Sequence, residues 1–143
     1  MNRGLEAIAL AAVRECERQR VGEAALIRLL TAHHTLVEWG DVMLTLDHVL
    51  ELAAIVEPVN KLGVRRTPVT FTDGGRSTPW QQLPAAMGRL FDHVATADPD
   101  SFTHALLDHH PWQDGNGRVA WLVWNQLRGT LLAPDPLPEF SFL

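Results

Sequence analysis

The stretch His110-Pro111-Trp112-Gln113-Asp114-Gly115-Asn116-Gly117-Arg118 concentrates more chemistry than any other part of this 143-residue chain. Its glycines permit positive φ, which lets successive amide hydrogens converge on one point. Apolar spacing predicts a helix on each side of it, so the positive end of a helix dipole should lie where the stretch ends. A concavity of this kind binds phosphate groups.

The charged side chains of this stretch also suit a ligand that carries phosphates. Arg118, in the first turn of the following helix, would add a charge-assisted contact to a phosphate. Asp114 is an anion beside the same amides, which a bridging Mg²⁺ ion would explain. His110 lies four residues earlier, close enough to take a proton from an attacking hydroxyl near neutral pH. On spacing alone, a plain loop between two helices explains the glycines equally well.

Apolar residues recur at helical spacing along most of the chain, with no internal repeat and no linker between two cores. Thr45 is of the type that caps a helix N-terminus, and Pro58 and Gly129 are of the types that end a helix. The pattern predicts helices that begin near these residues: Leu5, Gly22, Thr45, Leu83, Asp98 and Val119.

One segment departs from helical spacing. Residues 64–72 are rich in β-branched side chains, and Asp73-Gly74-Gly75 supplies turn chemistry. Pro68 cannot donate to a strand ladder, so the segment is predicted to be an edge β-hairpin. The predicted fold class is therefore mainly α, a compact helical domain with a small β-hairpin, and residues 1–143 form a single domain.

Composition excludes several classes of protein. The net charge of −5 argues against general nucleic-acid binding, although Arg65, Arg66 and Arg76 cluster locally and suit one phosphate or one acidic partner. No apolar run reaches membrane length and no signal peptide is recognisable, so no membrane association is expected. Cys16 is the only cysteine, which excludes an internal disulfide. A cytoplasmic location is expected.

The nine residues 110–118 resemble the motif of the Fic (Fic/Doc) family, His-Pro-Phe-x-(Asp or Glu)-Gly-Asn-Gly-Arg-x-x-Arg, with Trp112 in the Phe position. The resemblance extends outward: Val64–Phe71 is similar to the flap that precedes the motif, Ser101–Asp108 to the preceding helix and Leu122–Leu127 to the following one. It implies a compact helical Fic-like domain with a β-hairpin flap.

The resemblance also implies an activity. Members of this family typically move AMP, or another nucleoside monophosphate, from a nucleoside triphosphate such as ATP to a Ser, Thr or Tyr hydroxyl of a protein target, a reaction called AMPylation. A small-molecule acceptor and a separate inhibitory partner are also compatible with it. Two alternatives stay open: a phosphotransferase or phosphocholine-type transferase on the same loop, and a catalytically silent Fic-like module that only binds.

Specific roles follow from the motif positions. His110 corresponds to the general base, and Asp114 to the residue that holds Mg²⁺ against the phosphates. Gly115, Asn116 and Gly117 correspond to the anion nest, with Asn116 also touching the α-phosphate. Arg118 corresponds to the residue that holds the β-phosphate.

Further roles lie at the edge of this motif. In the flap, the resemblance implies that Thr67, Pro68, Val69 and Thr70 pair with an extended segment of the target by strand addition. Trp112 is expected to be a buried anchor for the loop.

Two positions depart from the family pattern. Trp121 stands where the second motif arginine would contact the γ-phosphate, so either the donor is held differently or catalysis is lost and binding remains. The Doc branch also lacks that arginine, but it has Ala and Lys where this chain has Gly115 and Gly117. Glu38 aligns with the inhibitory glutamate of the family, but it has no arginine partner, and autoinhibition by Glu38 is not expected. Trp121 is interpreted as a core or interface residue.

Overall fold

The computed structural model describes residues 3–71 and 76–139. Over these ranges the chain is mainly α-helical, as predicted, and three short 3₁₀ helices (Pro58–Leu62, Trp80–Gln82 and Val94–Thr96) join some of the α-helices. Each α-helix begins within about one turn of its predicted start. The α-helices of this part of the chain are α1 (Arg3–Arg18), α2 (Glu23–Trp39), α3 (Leu46–Val56), α4 (Leu83–Asp92), α5 (Pro99–His109) and α6 (Asn116–Arg128).

The helix ends are set by local side chains. The Thr45 hydroxyl accepts from the backbone N–H of His48, and the His48 Nδ1 accepts in return from the Thr45 N–H, so the predicted cap of α3 is confirmed. At the start of α5 the Asp98 carboxylate accepts from the Ser101 N–H at 2.9 Å. Gly129 ends α6 in the left-handed region, with φ of 73°.

Helix α6 lies at the centre of the fold. All residues from Val119 to Asn125 are buried, as expected of a helix that is surrounded by other elements and not laid on a surface. It packs against α1, α3 and α5. The N-terminus of α6, and with it the predicted phosphate loop, is therefore placed beside the C-terminal ends of α1 and α3. None of the described helices has the length and apolar character needed to cross a membrane.

The segment predicted to be a β-hairpin is less regular than expected. Across the described residues its pairing consists of one antiparallel bridge, between Thr70 and Arg76. The carbonyls that a ladder would use are taken by side chains: Arg65 donates to the Thr67 carbonyl and Ser77 to the Val69 carbonyl. The described residues thus show one bridge of the predicted β-hairpin and no regular ladder, while the predicted turn at residues 73–75 lies outside them. We keep the name flap for Val64–Phe71.

Candidate functional site

The motif loop, defined as His110–Arg118, begins with a left-handed residue. His110 has φ of 48° and ψ of 60°, and its N–H donates to the carbonyls of Leu106 and Leu107 at the end of α5. A left-handed conformation costs a non-glycine residue about 1–2 kcal/mol, so contacts elsewhere must hold it. Such strain is typical of functional positions.

Arg65 supplies those contacts. This arginine is 3% exposed, and its Nε donates to the His110 carbonyl at 2.6 Å while an Nη2 hydrogen reaches the His109 carbonyl at 3.2 Å. Its backbone N–H donates to the Pro111 carbonyl at 2.8 Å. The interpretation of Arg65 as a contact for phosphate or an acidic partner is therefore wrong, because its guanidinium is turned into the protein and binds carbonyl groups.

The imidazole of His110 is half-buried and forms a T-shaped contact with the Phe71 ring, with 5.5 Å between ring centroids. Burial, and then the positive charge of Arg65, lower the pKa of His110, and the nearby Asp114 carboxylate opposes this only in part. The ring therefore favours its neutral form near pH 7, which is the form that can accept a proton. No hydrogen bond joins the ring to another described residue.

Asn116 closes the loop on itself. Its side-chain oxygen accepts from the Trp112 N–H at 2.9 Å and its amide nitrogen donates to the Trp112 carbonyl at 2.8 Å. Trp112 is completely buried, which confirms its prediction as an anchor. Both polar atoms of the Asn116 side chain are thus engaged within the loop. The predicted contact from Asn116 to a phosphate stays a prediction.

The two glycines of the loop serve different purposes. Gly115 is left-handed, with φ of 78°, and a Cβ there would lie 2.9 Å from the Val56 Cγ1. Gly117 is helical, so the expectation of positive φ at both glycines is wrong. A Cβ on Gly117 would lie 3.0 Å from the side-chain amide of Gln19, just beyond the end of α1. Gly117 thus allows close approach between chain segments.

The first turn of α6 presents unpaired donors. The backbone N–H groups of Asn116, Gly117 and Arg118 donate to no residue of the described ranges, and no side chain caps the helix. Together with the helix dipole, these groups form the kind of site that binds an anion. These free N–H groups lie at the residues predicted to form the nest, and their binding of an anion stays a prediction.

Arg118 lies beneath this nest and not on its surface. Its side chain is 1% exposed, and Nη1 donates to the Glu57 carboxylate at 2.8 Å while Nη2 lies 3.4 Å from Asp114. Glu57, directly after α3, also accepts from Arg28 at 2.9 Å. Although burial opposes ionisation, the hydrogen bonds from Arg118 and Arg28 hold the pKa of Glu57 below its usual range. Arg118, which was predicted to contact a phosphate, thus forms an ion pair with Glu57. The sequence analysis did not identify Glu57.

Asp114, the predicted Mg²⁺ ligand, has an exposed side chain. Its side chain is 63% exposed, and one carboxylate oxygen accepts from the Gly115 N–H at 2.7 Å; the other has no hydrogen-bond partner in the described part of the chain. Buried Asn60, which was not predicted, donates to the Asp114 carbonyl at 2.8 Å and fixes this part of the loop. No group of three or more potential ligands from His, Cys, Asp or Glu occurs in the described ranges.

Trp121 and Glu38 lie away from the nest. Trp121 is buried, its indole N–H donates to the Asp135 carbonyl at 3.0 Å, and its ring stands 6.4 Å from that of His33. The interpretation of Trp121 as a core residue is confirmed. Glu38 is 67% exposed on α2 and pairs with His34 at 2.9 Å, so the ion partner of Arg118 is Glu57 and not Glu38.

The four flap residues differ in exposure: Thr67, Pro68 and Thr70 are exposed and Val69 is half-buried. The flap is joined to the motif loop by Arg65 and by the Phe71–His110 ring contact. The structure thus brings the predicted flap to the side of the loop that carries His110.

A family model described as the Fic/DOC family matches residues 43–127, which is more than half of the chain. The chain belongs to the Fic/DOC family. The matched range runs from just before α3 almost to the end of α6, so it contains Glu57, the flap and the motif loop. No curated protein and no solved structure matches the chain. Membership supports a Fic-type transferase domain.

Proposed function

We propose that this Fic domain binds a nucleoside triphosphate with Mg²⁺ and transfers its nucleotidyl group, AMP foremost, to a Ser, Thr or Tyr hydroxyl of a protein. The observation that carries the proposal is the uncapped first turn of α6, whose free N–H groups at residues 116–118 lie in the same loop as His110 and Asp114. An anion site, a neutral imidazole and an exposed carboxylate in nine residues suit phosphate chemistry better than a plain connector.

In the proposed reaction, each group of the motif loop has a defined role. The acceptor oxygen attacks the α-phosphorus, its proton passes to the imidazole of His110, and the bond from the α-phosphorus to the oxygen that bridges to the β-phosphorus breaks, which releases pyrophosphate. The lowered pKa of His110, caused first by burial and then by Arg65, keeps the ring ready for this proton. The free amides of α6 receive the phosphate oxygens.

A magnesium ion fits the residues present. Mg²⁺ is commonly held by one or two carboxylates together with substrate phosphates and water, and Asp114 offers one exposed carboxylate oxygen without a hydrogen-bond partner among the described residues. When bound, the ion would neutralise charge on the donor phosphates. Asp114 is the residue that would hold it.

Arg118 joins the donor site only if it changes partner. In the proposed complex the pyrophosphate portion of the donor takes over the Arg118 guanidinium that Glu57 holds at 2.8 Å. Glu57 keeps a cationic partner in this exchange, because Arg28 also donates to it. The exchange therefore leaves no isolated carboxylate, which would be costly in a partly buried place.

A catalytically silent binding module is the second candidate. Two observations favour it: Arg118 is already neutralised by Glu57, and Trp121 packs in the core where the second motif arginine would stand. Phosphocholine-type transfer and phosphotransfer remain variants of the leading proposal on the same loop.

Intact-mass spectrometry tests these possibilities together. The purified protein is incubated with Mg²⁺ and each nucleoside triphosphate or CDP-choline, and pyrophosphate release is followed in parallel, because water can replace the acceptor. The proposal predicts a mass increment of one nucleoside monophosphate or pyrophosphate release, either of which is lost in His110→Ala. An increment of one phosphate or of phosphocholine would identify the corresponding transferase. Binding without release or modification in any mixture would identify the silent module.

A further inference from the structure

The guanidinium of Arg65 lies where the flap meets the motif loop. On the loop side it donates to the carbonyls of His109 and His110, and the Arg65 N–H donates to that of Pro111. These three carbonyls are consecutive and belong to the residue predicted as the base and its two neighbours. Charge-assisted hydrogen bonds are among the stronger ones in proteins, so these contacts help to hold His110 in its left-handed conformation.

On the flap side the same guanidinium binds both chain segments that face each other there. Nη1 donates to the Thr67 carbonyl at 2.7 Å, in the first segment. Nη2 donates to the Ser77 hydroxyl at 2.8 Å and to the Thr78 carbonyl at 2.6 Å, in the second. Every guanidinium nitrogen of Arg65 is therefore bonded. Its five acceptors lie in the flap, in the facing segment at Ser77 and Thr78, and at the junction of α5 with the motif loop.

We propose that Arg65 is a positioning residue of the transfer reaction, whose buried guanidinium fixes the flap against His110 and so sets the distance between an acceptor on the flap and the base. This inference rests on the proposed function for the role of His110. The planar guanidinium of arginine suits this positioning role. Five acceptors surround the group, which is more than the three N–H donors of a lysine could satisfy.

The surroundings of Arg65 support a role beyond filling space. A buried cation is costly unless it is fully hydrogen-bonded, and Arg65 forms no ion pair with an acidic side chain in the part of the chain described. Arg66, the next residue, carries the same charge on an exposed side chain and forms no hydrogen bond to another described residue. It provides a matched control one position away.

The experiment compares Arg65→Lys and Arg65→Ala with Arg66→Lys and Arg66→Ala, each first confirmed as folded by its melting curve. Turnover and the KM for the nucleotide are measured for every folded variant. In parallel, NMR records the His110 ring resonances and the nuclear Overhauser contact between the rings of His110 and Phe71, without nucleotide or Mg²⁺. Guanidinium ion, at concentrations far below those that unfold proteins, is added to Arg65→Ala to fill the space left by the side chain.

The proposal predicts that Arg65→Lys lowers turnover by roughly 10²-fold, the loss typical of a misplacement of about 1 Å, while the KM for the nucleotide changes little. It also predicts that the His110 signals shift, that the contact with Phe71 weakens, and that guanidinium restores turnover in Arg65→Ala. Ser77→Ala removes one acceptor and should show a smaller change in the same direction. If Arg65→Ala does not fold, Ser77→Ala provides the measurement in its place.

Two results would overturn the inference. One is a folded Arg65→Lys that melts at a lower temperature yet retains the turnover and the His110 signals of Arg66→Lys, because Arg65 would then be only structural. The other is unchanged His110 signals in both Arg65→Lys and Ser77→Ala. If the wild type shows no transfer at all, the proposed function fails and the NMR comparison alone decides the role of Arg65.

Discussion

The motif loop and the flap are neighbours with opposite construction. The motif loop is stabilised by its own hydrogen bonds, because the Asn116 side chain bonds to both the N–H and the carbonyl of Trp112. The charge of Arg118 is neutralised by an ion pair with Glu57. The flap is largely exposed, shows one bridge among its described residues, and is fastened to the loop mainly by Arg65. One side of the site is closed and preorganised, and the other is open.

This difference indicates how the two substrates would be treated. In the proposed reaction, a donor on the closed side would meet fixed amide groups and would gain Arg118 only by displacing Glu57. An acceptor on the open side would meet an exposed edge that is held beside His110 by Arg65 and by the Phe71 ring contact. Changes on the closed side should therefore act on donor affinity and stability, whereas changes around His110 should act on turnover.

His110→Ala is expected to give the largest effect, a loss of turnover without a loss of donor affinity. Loss of a general base typically lowers the rate by about 10² to 10⁴, while donor affinity should stay nearly unchanged, since the base acts on the acceptor hydroxyl. Radiolabel transfer measures the first quantity and calorimetric titration the second. A variant with wild-type turnover would remove His110 from the mechanism, and a large loss of donor affinity would show that the two sides are not separate.

A smaller effect, of opposite sign, is expected from Glu57→Gln. Removing the carboxylate frees the Arg118 guanidinium for a donor phosphate, and a charge-assisted hydrogen bond of about 1.5 kcal/mol corresponds to a roughly tenfold gain in affinity. The melting temperature should fall, because Arg118 loses its ionic partner. Glu38→Gln, on the exposed face of α2, is the control and should change neither quantity. Unchanged or weaker donor binding by folded Glu57→Gln would mean that Arg118 is structural.

The two glycines offer a comparison within the closed side. Gly115→Ala should destabilise the fold by about 1–3 kcal/mol, since it forces a Cβ into the left-handed region and towards Val56. Gly117→Ala should cost much less, because its backbone is helical, alanine favours a helix by up to about 1 kcal/mol over glycine, and the neighbour is the flexible end of Gln19. Urea unfolding of both variants measures the difference. Equal losses would contradict the distinction drawn between the two glycines.

The smallest expected effect is a shift in the acid limb of the pH profile. Burial and Arg65 lower the pKa of His110, so the neutral base persists below the ordinary histidine value of about 6.5, and the acid limb of kcat/KM should have its midpoint below that value. Stability should depend on pH in the same direction. A histidine whose pKa is lower in the folded state stabilises the fold at pH values above its unfolded pKa, and this stabilisation is lost as the pH falls towards its folded pKa. Removal of the positive charge in Arg65→Ala should move the midpoint upward. A wild-type midpoint above the ordinary value would contradict the assignment.

The motif loop was predictable because its chemistry is local. The glycines, Asp114 and His110 all lie in one stretch, and the apolar spacing on each side identified the helices. Spacing could not show which glycine has positive φ. That depends on where α6 begins, and it begins at Asn116, three residues before the first predicted position.

The partners of the loop were not predictable because they come from distant parts of the chain. Arg65 lies 45 residues before His110, and Glu57 lies 61 residues before Arg118. Charged residues are usually exposed, so a single sequence gives little reason to bury Arg65 or to half-bury Glu57. One signal existed: Glu57 directly follows a helix, where the dipole disfavours a negative charge, so a cationic partner could have been sought for it. The irregular pairing of the flap has a local cause instead, since two of its carbonyls bond to the nearby side chains of Arg65 and Ser77.

The first turn of α6 is proposed to receive the phosphates of a nucleotide. A ¹⁵N NMR titration of the wild-type protein with ATP and Mg²⁺ tests this role at the residues themselves. We expect the largest shifts on the backbone amides of Asn116, Gly117 and Arg118, and we expect the Arg118 guanidinium signals to move as Glu57 is displaced. Saturable binding that leaves these amides unmoved and shifts residues elsewhere, or no binding at all, would contradict the proposed role.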